Sequence, residues 1–157
     1  MKRLIAVLIV GLMLGGCGDD SASEKYTLDP RSMPIEYQLA FLSAGKQVSE
    51  NDPSVINAKK LLDKASVLYE QPQKDIANFA VKANGVLEKD GIKESPIEVL
   101  EATVLANDGS LPMKGEYEKL VIFYLTVREK GMSRAEAIVG LRDMFKVVAS
   151  SNPKRNN

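Results

Sequence analysis

The sequence contains no histidine and no tryptophan, and its 157 residues include one cysteine, Cys17. The missing histidine removes the commonest general base, the Ser-His-Asp arrangement and most zinc sites. A single cysteine excludes an intramolecular disulfide. The eleven glycines are scattered and form no phosphate-binding loop. We therefore predict no catalytic, cofactor-binding or metal-binding residues.

An enzyme built from this chain would depend on a carboxylate pair or a Ser-Lys pair. The candidate acids are Glu98, Glu101, Glu116, Glu118 and Glu129. Glu98 and Glu116 fall in the first turn of predicted helices, where the helix dipole favours an acid. The others fall where helices usually present charge to water. We expect a protein that is not an enzyme, with a cell-wall hydrolase using paired carboxylates as an alternative.

The charge balance gives no support for nucleic-acid binding. The chain has 21 lysine and arginine residues against 21 aspartate and glutamate residues. Nucleic-acid binding proteins usually carry a basic patch or stripe. We therefore expect no nucleic-acid partner.

The first seventeen residues have the layout of a secretory signal. Lys2 and Arg3 form a basic start, the run from Leu4 to Leu14 is apolar, and small residues end it. As a helix this run is about 16 Å long, roughly half of a bilayer core, so it is too short to span comfortably. A plain signal peptide cleaved at another bond is the alternative to the assignment that follows.

The segment Leu14-Gly15-Gly16-Cys17 resembles the lipobox of bacterial lipoproteins. The resemblance implies that residues 1–16 form a signal peptide that is removed. It also implies that Cys17 carries a diacylglycerol and an N-acyl lipid, which attach the protein to a membrane. The domain would then face the periplasm or the exterior of a bacterial cell envelope. The resemblance is limited to residues 1–17 and leaves inner and outer membrane open.

The rest of the chain divides into three parts. Residues 17–33 are polar and lack helical or strand periodicity, which predicts a flexible tether. Residues 34–149 predict one helical domain, and residues 150–157 a disordered polar tail.

Apolar residues recur at a helical period between the prolines, and no hairpin signal interrupts them. Asp52-Pro53 and Ser95-Pro96-Ile97-Glu98 are helix start signals, and Ser133 with Glu136 forms another. The pattern predicts an all-α bundle of about six helices. Their predicted ranges are 35–48, 53–69, 72–90, 96–106, 116–130 and 134–149.

The predicted helix at 116–130 is apolar on nearly every side through its middle, which predicts the central helix of the bundle. Such a helix has more apolar surface than a small domain readily covers. We therefore predict that some of Ile122, Phe123 and Leu125 form a partner surface. Tyr117 and Arg128 are the other candidates on this helix. The helical aromatic residues have an alternative role as plain core: Tyr69, Phe79, Phe123, Tyr124 and Phe145.

The chain also matches itself when it is shifted by 62 residues. Pro34-Ile35-Glu36 then falls on Pro96-Ile97-Glu98, and several apolar positions coincide. Two three-helix halves would explain six helices, although any two amphipathic stretches can be aligned in this way. Duplication and coincidence both remain open.

The function predicted from these observations is an envelope lipoprotein whose helical domain docks an unidentified envelope protein without catalysis. A carrier or sensor that holds a small apolar ligand inside the bundle is the first alternative. The hydrolase is the second. The sequence does not identify the partner, the ligand or the oligomeric state.

We predict that Cys17→Ala leaves an unprocessed or soluble protein with an intact folded domain. Two or three acyl chains, at about 0.8 kcal/mol per buried CH₂, anchor a protein stably. The measurement is membrane fractionation after a high-salt wash, together with incorporation of labelled palmitate. Unchanged fractionation and unchanged labelling of Cys17→Ala would contradict the lipoprotein assignment.

Overall fold

The computed structural model describes residues 32–107 and 114–151. Its secondary structure within those ranges is helical, without a strand, so the prediction of an all-α bundle of about six helices is confirmed. The predicted signal peptide at 1–16, Cys17 and the tether as far as residue 31 lie outside the described residues, as does the tail from residue 152. The helices are α1 (Ile35–Ala44), α2 (Pro53–Tyr69), α3 (Gln73–Lys89), α4 (Pro96–Ala106), α5 (Tyr117–Glu129) and α6 (Arg134–Ser151).

Three helices begin at the signals that the sequence carries. Asp52 accepts a hydrogen bond from the Ser54 amide at 2.8 Å ahead of α2. Ser95 and Glu98 form a reciprocal capping box at α4, where the Ser95 amide donates to the Glu98 carboxylate at 2.7 Å. The Ser133 amide donates to Glu136 in the same way at 2.8 Å. These contacts satisfy amides that a helix start leaves without partners.

One predicted helix end was wrong. Helix α1 ends at Ala44 rather than near Val48, because Gly45 takes a left-handed conformation with φ of 64° and its amide bonds to the Phe41 carbonyl. This is the usual way in which glycine ends a helix. Helix α6 runs to Ser151, two residues beyond its predicted end.

Helix α4, not α5, is the central helix, so the prediction for 116–130 was wrong. Helix α4 contacts all five other helices. Eight of its eleven residues are buried. Helix α5 lies outside, mainly against α3 and α6. It buries only Tyr117, Leu120, Val121 and Tyr124.

The charged residues explain the difference between these two helices. In α5 the apolar positions are interleaved with Glu118, Lys119 and Glu129, which are exposed and keep one side of the helix in water. Helix α4 has only Glu98 and Glu101 as charged residues. It can therefore be covered on almost every side.

A buried hydrogen-bonded cluster links α2, α4 and α5. The Tyr69 hydroxyl donates to the Thr103 carbonyl at 2.9 Å, and the Thr103 hydroxyl lies 3.2 Å from the Tyr117 hydroxyl. The two tyrosine rings are 5.0 Å apart. Burial raises the pKa of Tyr69 and the pKa of Tyr117, so both hydroxyls stay protonated. The cluster supplies partners for polar groups that α4 could not otherwise bury.

The helix boundaries repeat at the 62-residue interval, but the packing repeats only in part. Shifted by 62 residues, the first three helices would span 97–106, 115–131 and 135–151, close to α4, α5 and α6. Helix α1 packs along α2, whereas α4 and α5 meet at only a few positions. Helix α2 packs against α3 as extensively as α5 packs against α6. Duplication therefore remains a hypothesis that the helix lengths favour and the packing supports only in part.

We predict that Leu100→Ala lowers the free energy of unfolding by about 2–5 kcal/mol, because it leaves a cavity in the centre of the core. Leu100 is fully buried in α4, while Leu105 of the same helix is 44% exposed. The matched Leu105→Ala substitution should cost less than about 1 kcal/mol. Denaturant unfolding measures both, and equal losses would contradict the central position of α4.

Candidate functional site

Two of the three residues predicted as a partner surface reach water. On α5, Ile122 is 55% exposed and Phe123 is 36% exposed. Leu125 is partly buried and packs against the core. We call Ile122 and Phe123 the α5 outer face.

Polar groups surround the α5 outer face. Lys119, one turn before Phe123, forms a salt bridge of 2.7 Å with Glu116. Thr126, one turn after Ile122, donates its hydroxyl to the Ile122 carbonyl at 2.9 Å. An apolar centre with a polar rim is the usual composition of a docking surface.

Directly behind this face lies a buried carboxylate, Glu94, whose side chain is 3% exposed. It lies in the turn between α3 and α4, where Asn84 donates to its backbone carbonyl at 2.7 Å. The Tyr124 hydroxyl and the Arg128 Nε donate to the two carboxylate oxygens, the latter at 3.2 Å. Arg134 Nε lies 3.3 Å from the same carboxylate. Glu94 thus joins the α3–α4 turn to both α5 and α6.

Arg134 connects this carboxylate to α4. Its Nη2 donates to the Glu101 carboxylate at 2.5 Å and to the Glu98 carbonyl at 3.0 Å. We call Glu94, Glu101, Tyr124, Arg128 and Arg134 the Glu94 cluster. Two acids face two arginines, so the cluster is balanced in charge and its carboxylates have charged partners. Burial, followed by the hydrogen bond to Glu94, raises the pKa of Tyr124 and keeps its hydroxyl a donor.

The sequence indicated only part of this cluster. Arg128 was a candidate for the partner surface, but it points inward to Glu94, and its Nη1 also donates to the Met132 carbonyl at 2.5 Å. Glu94 was not among the candidate acids. It stands in a polar turn just before a capping box, and no local pattern marks its burial.

The five candidate acids do not converge on one groove. Glu98 belongs to the capping box and Glu101 to the Glu94 cluster, while Glu116 pairs with Lys119. Glu118 and Glu129 are exposed on α5. Among residues 32–107 and 114–151, no group of three or more acidic or thiol ligands could hold a metal ion.

Surface depressions flank the helices in the described part of the chain. One of about 240 Å³ lies beside the starts of α1 and α2 and is lined by residues that include Met33, Tyr37 and Val55. One of about 260 Å³ lies beside the start of α4 and is lined by polar residues that include Glu88, Glu94 and Glu98. Another, of about 430 Å³, lies along α6 and is lined mainly by Met132, Ala135, Val139 and Gly140. These depressions open to solvent, so none of them has the enclosed form in which a carrier removes an apolar ligand from water.

None of the helices in the described part of the chain is long and apolar enough to cross a membrane. In comparisons with known proteins, no family model, curated protein or solved structure gave a significant match to this chain.

We predict that Glu98→Gln lowers the free energy of unfolding at neutral pH by about 0.5 kcal/mol, a small loss because solvent screens this exposed carboxylate. The Ser95 amide and hydroxyl, which donate to Glu98, hold the pKa of its carboxyl below the ordinary value. A lowered folded-state pKa stabilises the protein above the unfolded-state pKa, and this stability is lost as the pH falls through the folded-state value.

The native protein and Glu98→Gln should therefore unfold with converging free energies below about pH 4.3, the ordinary pKa of a glutamate. Urea unfolding from about pH 7 down to about pH 3 measures the difference. A difference that stays constant on acidification would show that the Glu98 charge does not contribute.

Proposed function

We propose that this protein is an accessory lipoprotein of the bacterial cell envelope, whose helical domain docks another envelope protein at the membrane. The observation that carries the proposal is the α5 outer face, an exposed apolar pair on a helix whose other apolar side chains are largely covered. A diacylglycerol and an N-acyl lipid on Cys17 would hold the domain close to its partner. The resemblance of Leu14-Gly15-Gly16-Cys17 to a lipobox supports this anchor.

The exposure of Ile122 and Phe123 carries a cost that docking would remove. Full burial of such a side chain contributes about 1.5–3 kcal/mol, and Ile122 and Phe123, which are partly exposed, each forgo a part of it. Interfaces commonly use a few such side chains as anchors inside a polar rim. An isolated exposed residue such as Val67 needs no such explanation, whereas Ile122 and Phe123 follow one another on the outer side of α5, which favours a partner.

The alternatives have less support. A carrier would need an enclosed apolar cavity, and the depressions described above open to solvent. A hydrolase with paired carboxylates would need two acids that are free to face a substrate across a cleft. Three acids line the depression beside α4, but each already has a partner: Glu88 binds Asn84, Glu94 binds Arg128 and Glu98 caps α4.

We predict that Ile122→Ser and Phe123→Ser each cost less than about 1 kcal/mol of stability but reduce partner capture about tenfold or more, as interface anchors do. Leu125→Ser should cost more stability, because Leu125 packs against the core. The matched control is Val67→Ser on α2, where the side chain is 76% exposed and far along the chain from α5.

The measurement combines denaturant unfolding with affinity capture of the Cys17-anchored protein from intact envelopes. Val67→Ser should capture the same proteins as the native chain. If Ile122→Ser, Phe123→Ser and Leu125→Ser all unfold the domain as severely as Leu120→Ala, α5 is only a core helix. If the captured proteins are the same for all variants, the α5 outer face is not the docking surface.

A further inference from the structure

Apolar burial alone does not define which side of α5 faces the core. The helix carries apolar side chains at seven positions that surround its axis: Leu120, Val121, Ile122, Phe123, Tyr124, Leu125 and Val127. The observed rotation buries Leu120, Val121 and Tyr124 and leaves Ile122 and Phe123 in water. Helices of this composition have more than one rotation that hides an apolar stripe.

One competing rotation is close in angle. A rotation of α5 by about 70° around its axis would carry Val121 towards solvent and bring Phe123 onto the buried side of the helix. Leu120 and Tyr124 would remain buried in both arrangements. This rotation would bury Phe123, which is 36% exposed, but it would expose Val121 and more of Leu125. Lys119 would approach the core, where a lysine side chain can still extend its ammonium group to water. The two rotations therefore differ in apolar burial by only a few partly exposed side chains.

The contacts of Glu94 distinguish the two rotations. Tyr124 and Arg128 lie one turn apart on the side of α5 that faces the α3–α4 turn, and both donate to the Glu94 carboxylate. The rotation of α5 by about 70° would move Arg128 away from Glu94. The buried Glu94 carboxylate would then have fewer partners, which is strongly unfavourable. The contact of Tyr117 with Thr103 at 3.2 Å also favours the observed rotation, but it joins neutral groups and is weaker.

We infer that Glu94 is the positioning residue of α5, because its hydrogen bonds to Tyr124 and Arg128 fix the rotation that keeps Ile122 and Phe123 in water. Buried polar groups set the register of packed helices in this way where apolar contacts alone are permissive. The consequence for docking rests on the proposed function. The rotation itself is measured without any partner.

Two features of the sequence make the rotation measurable. In the full chain carrying Cys17→Ser, an introduced cysteine is the only thiol and an introduced tryptophan the only indole. Val121→Cys reports on a position that is 4% exposed, and Phe123→Trp on one that is 36% exposed. Val99→Cys is the matched control, because Val99 is fully buried in α4.

The test compares each reporter with Glu94 present and with Glu94→Met, which has a similar volume but no acceptor. We expect Glu94→Met to raise the thiol-labelling rate of Val121→Cys about tenfold or more, because a buried thiol otherwise reacts only through local opening. Acrylamide quenching of Phe123→Trp should fall about twofold or more, because the rotation of α5 carries this position towards the core. Labelling of Val99→Cys should stay unchanged. Glu94→Gln retains an acceptor and should restore most of the native pattern.

The exposure of Val121→Cys is expected to rise and that of Phe123→Trp to fall. These opposite changes distinguish a rotation of α5 from a general loosening of α5. If both positions become more exposed, Glu94 only holds α5 against the bundle and the inference is wrong. If neither changes while circular dichroism stays helical, apolar packing sets the rotation and the inference is also wrong. If Glu94→Met leaves the labelling of Val121→Cys unchanged but reduces partner capture, Glu94 does not set the rotation of α5. That result would overturn the positioning role and leave the proposed docking face intact.

A second variant serves if Glu94→Met does not fold. Tyr124→Phe combined with Arg128→Met removes the donors from α5 and leaves Glu94 paired with Arg134. It should change Val121→Cys and Phe123→Trp in the same two directions. Unchanged labelling and quenching in this folded variant would overturn the inference.

Discussion

The burial of α4 is the constraint on which the rest of the bundle depends. This helix of eleven residues has two charged side chains, both towards its N-terminal half, and all five other helices contact it. Its small residues Ala102, Thr103 and Ala106 let neighbouring helices approach closely. Because apolar surface on every side must leave water, the positions of the other helices are determined largely by what they cover on α4.

Burying a helix so completely requires partners for its polar groups. Thr103 is satisfied by Tyr69 and Tyr117 from two different helices. On the other side, α6 contributes Arg134 and Arg142, which donate to the carbonyls of Glu98 and Leu105 at 3.0 and 2.9 Å. Directional contacts of this kind select one arrangement among several that apolar packing would allow.

The fold class was predictable because its signals are local. The caps at Asp52, Ser95 and Ser133 depend on residues within three positions of one another, so the sequence alone locates the helices that they begin. The central helix was not predictable in this way. Counting apolar residues favoured α5, but the choice depends on how charges divide the surface of each helix in the assembled bundle. Glu94 was missed for the same reason, since its partners lie 30 and 34 residues away.

The candidate site shows the same limit. Ile122 and Phe123 could be chosen from the sequence because α5 has more apolar positions than one buried side can use. Which of them would reach water depends on the rotation of the helix, and the contacts that favour the observed rotation come from residues distant in the chain. Arg128 illustrates this point, since its position on an apolar helix suggested a surface role and its partners are buried.

The coverage of α4 by α6 has a consequence for the order in which the domain can form. Because a chain is synthesised from its N-terminus, α4 appears well before Ala137, Leu141 and Phe145, the residues of α6 that belong to the core. During that interval the apolar surface of α4 has an incomplete cover and is open to wrong association. The core can therefore close completely only after α6 has been synthesised.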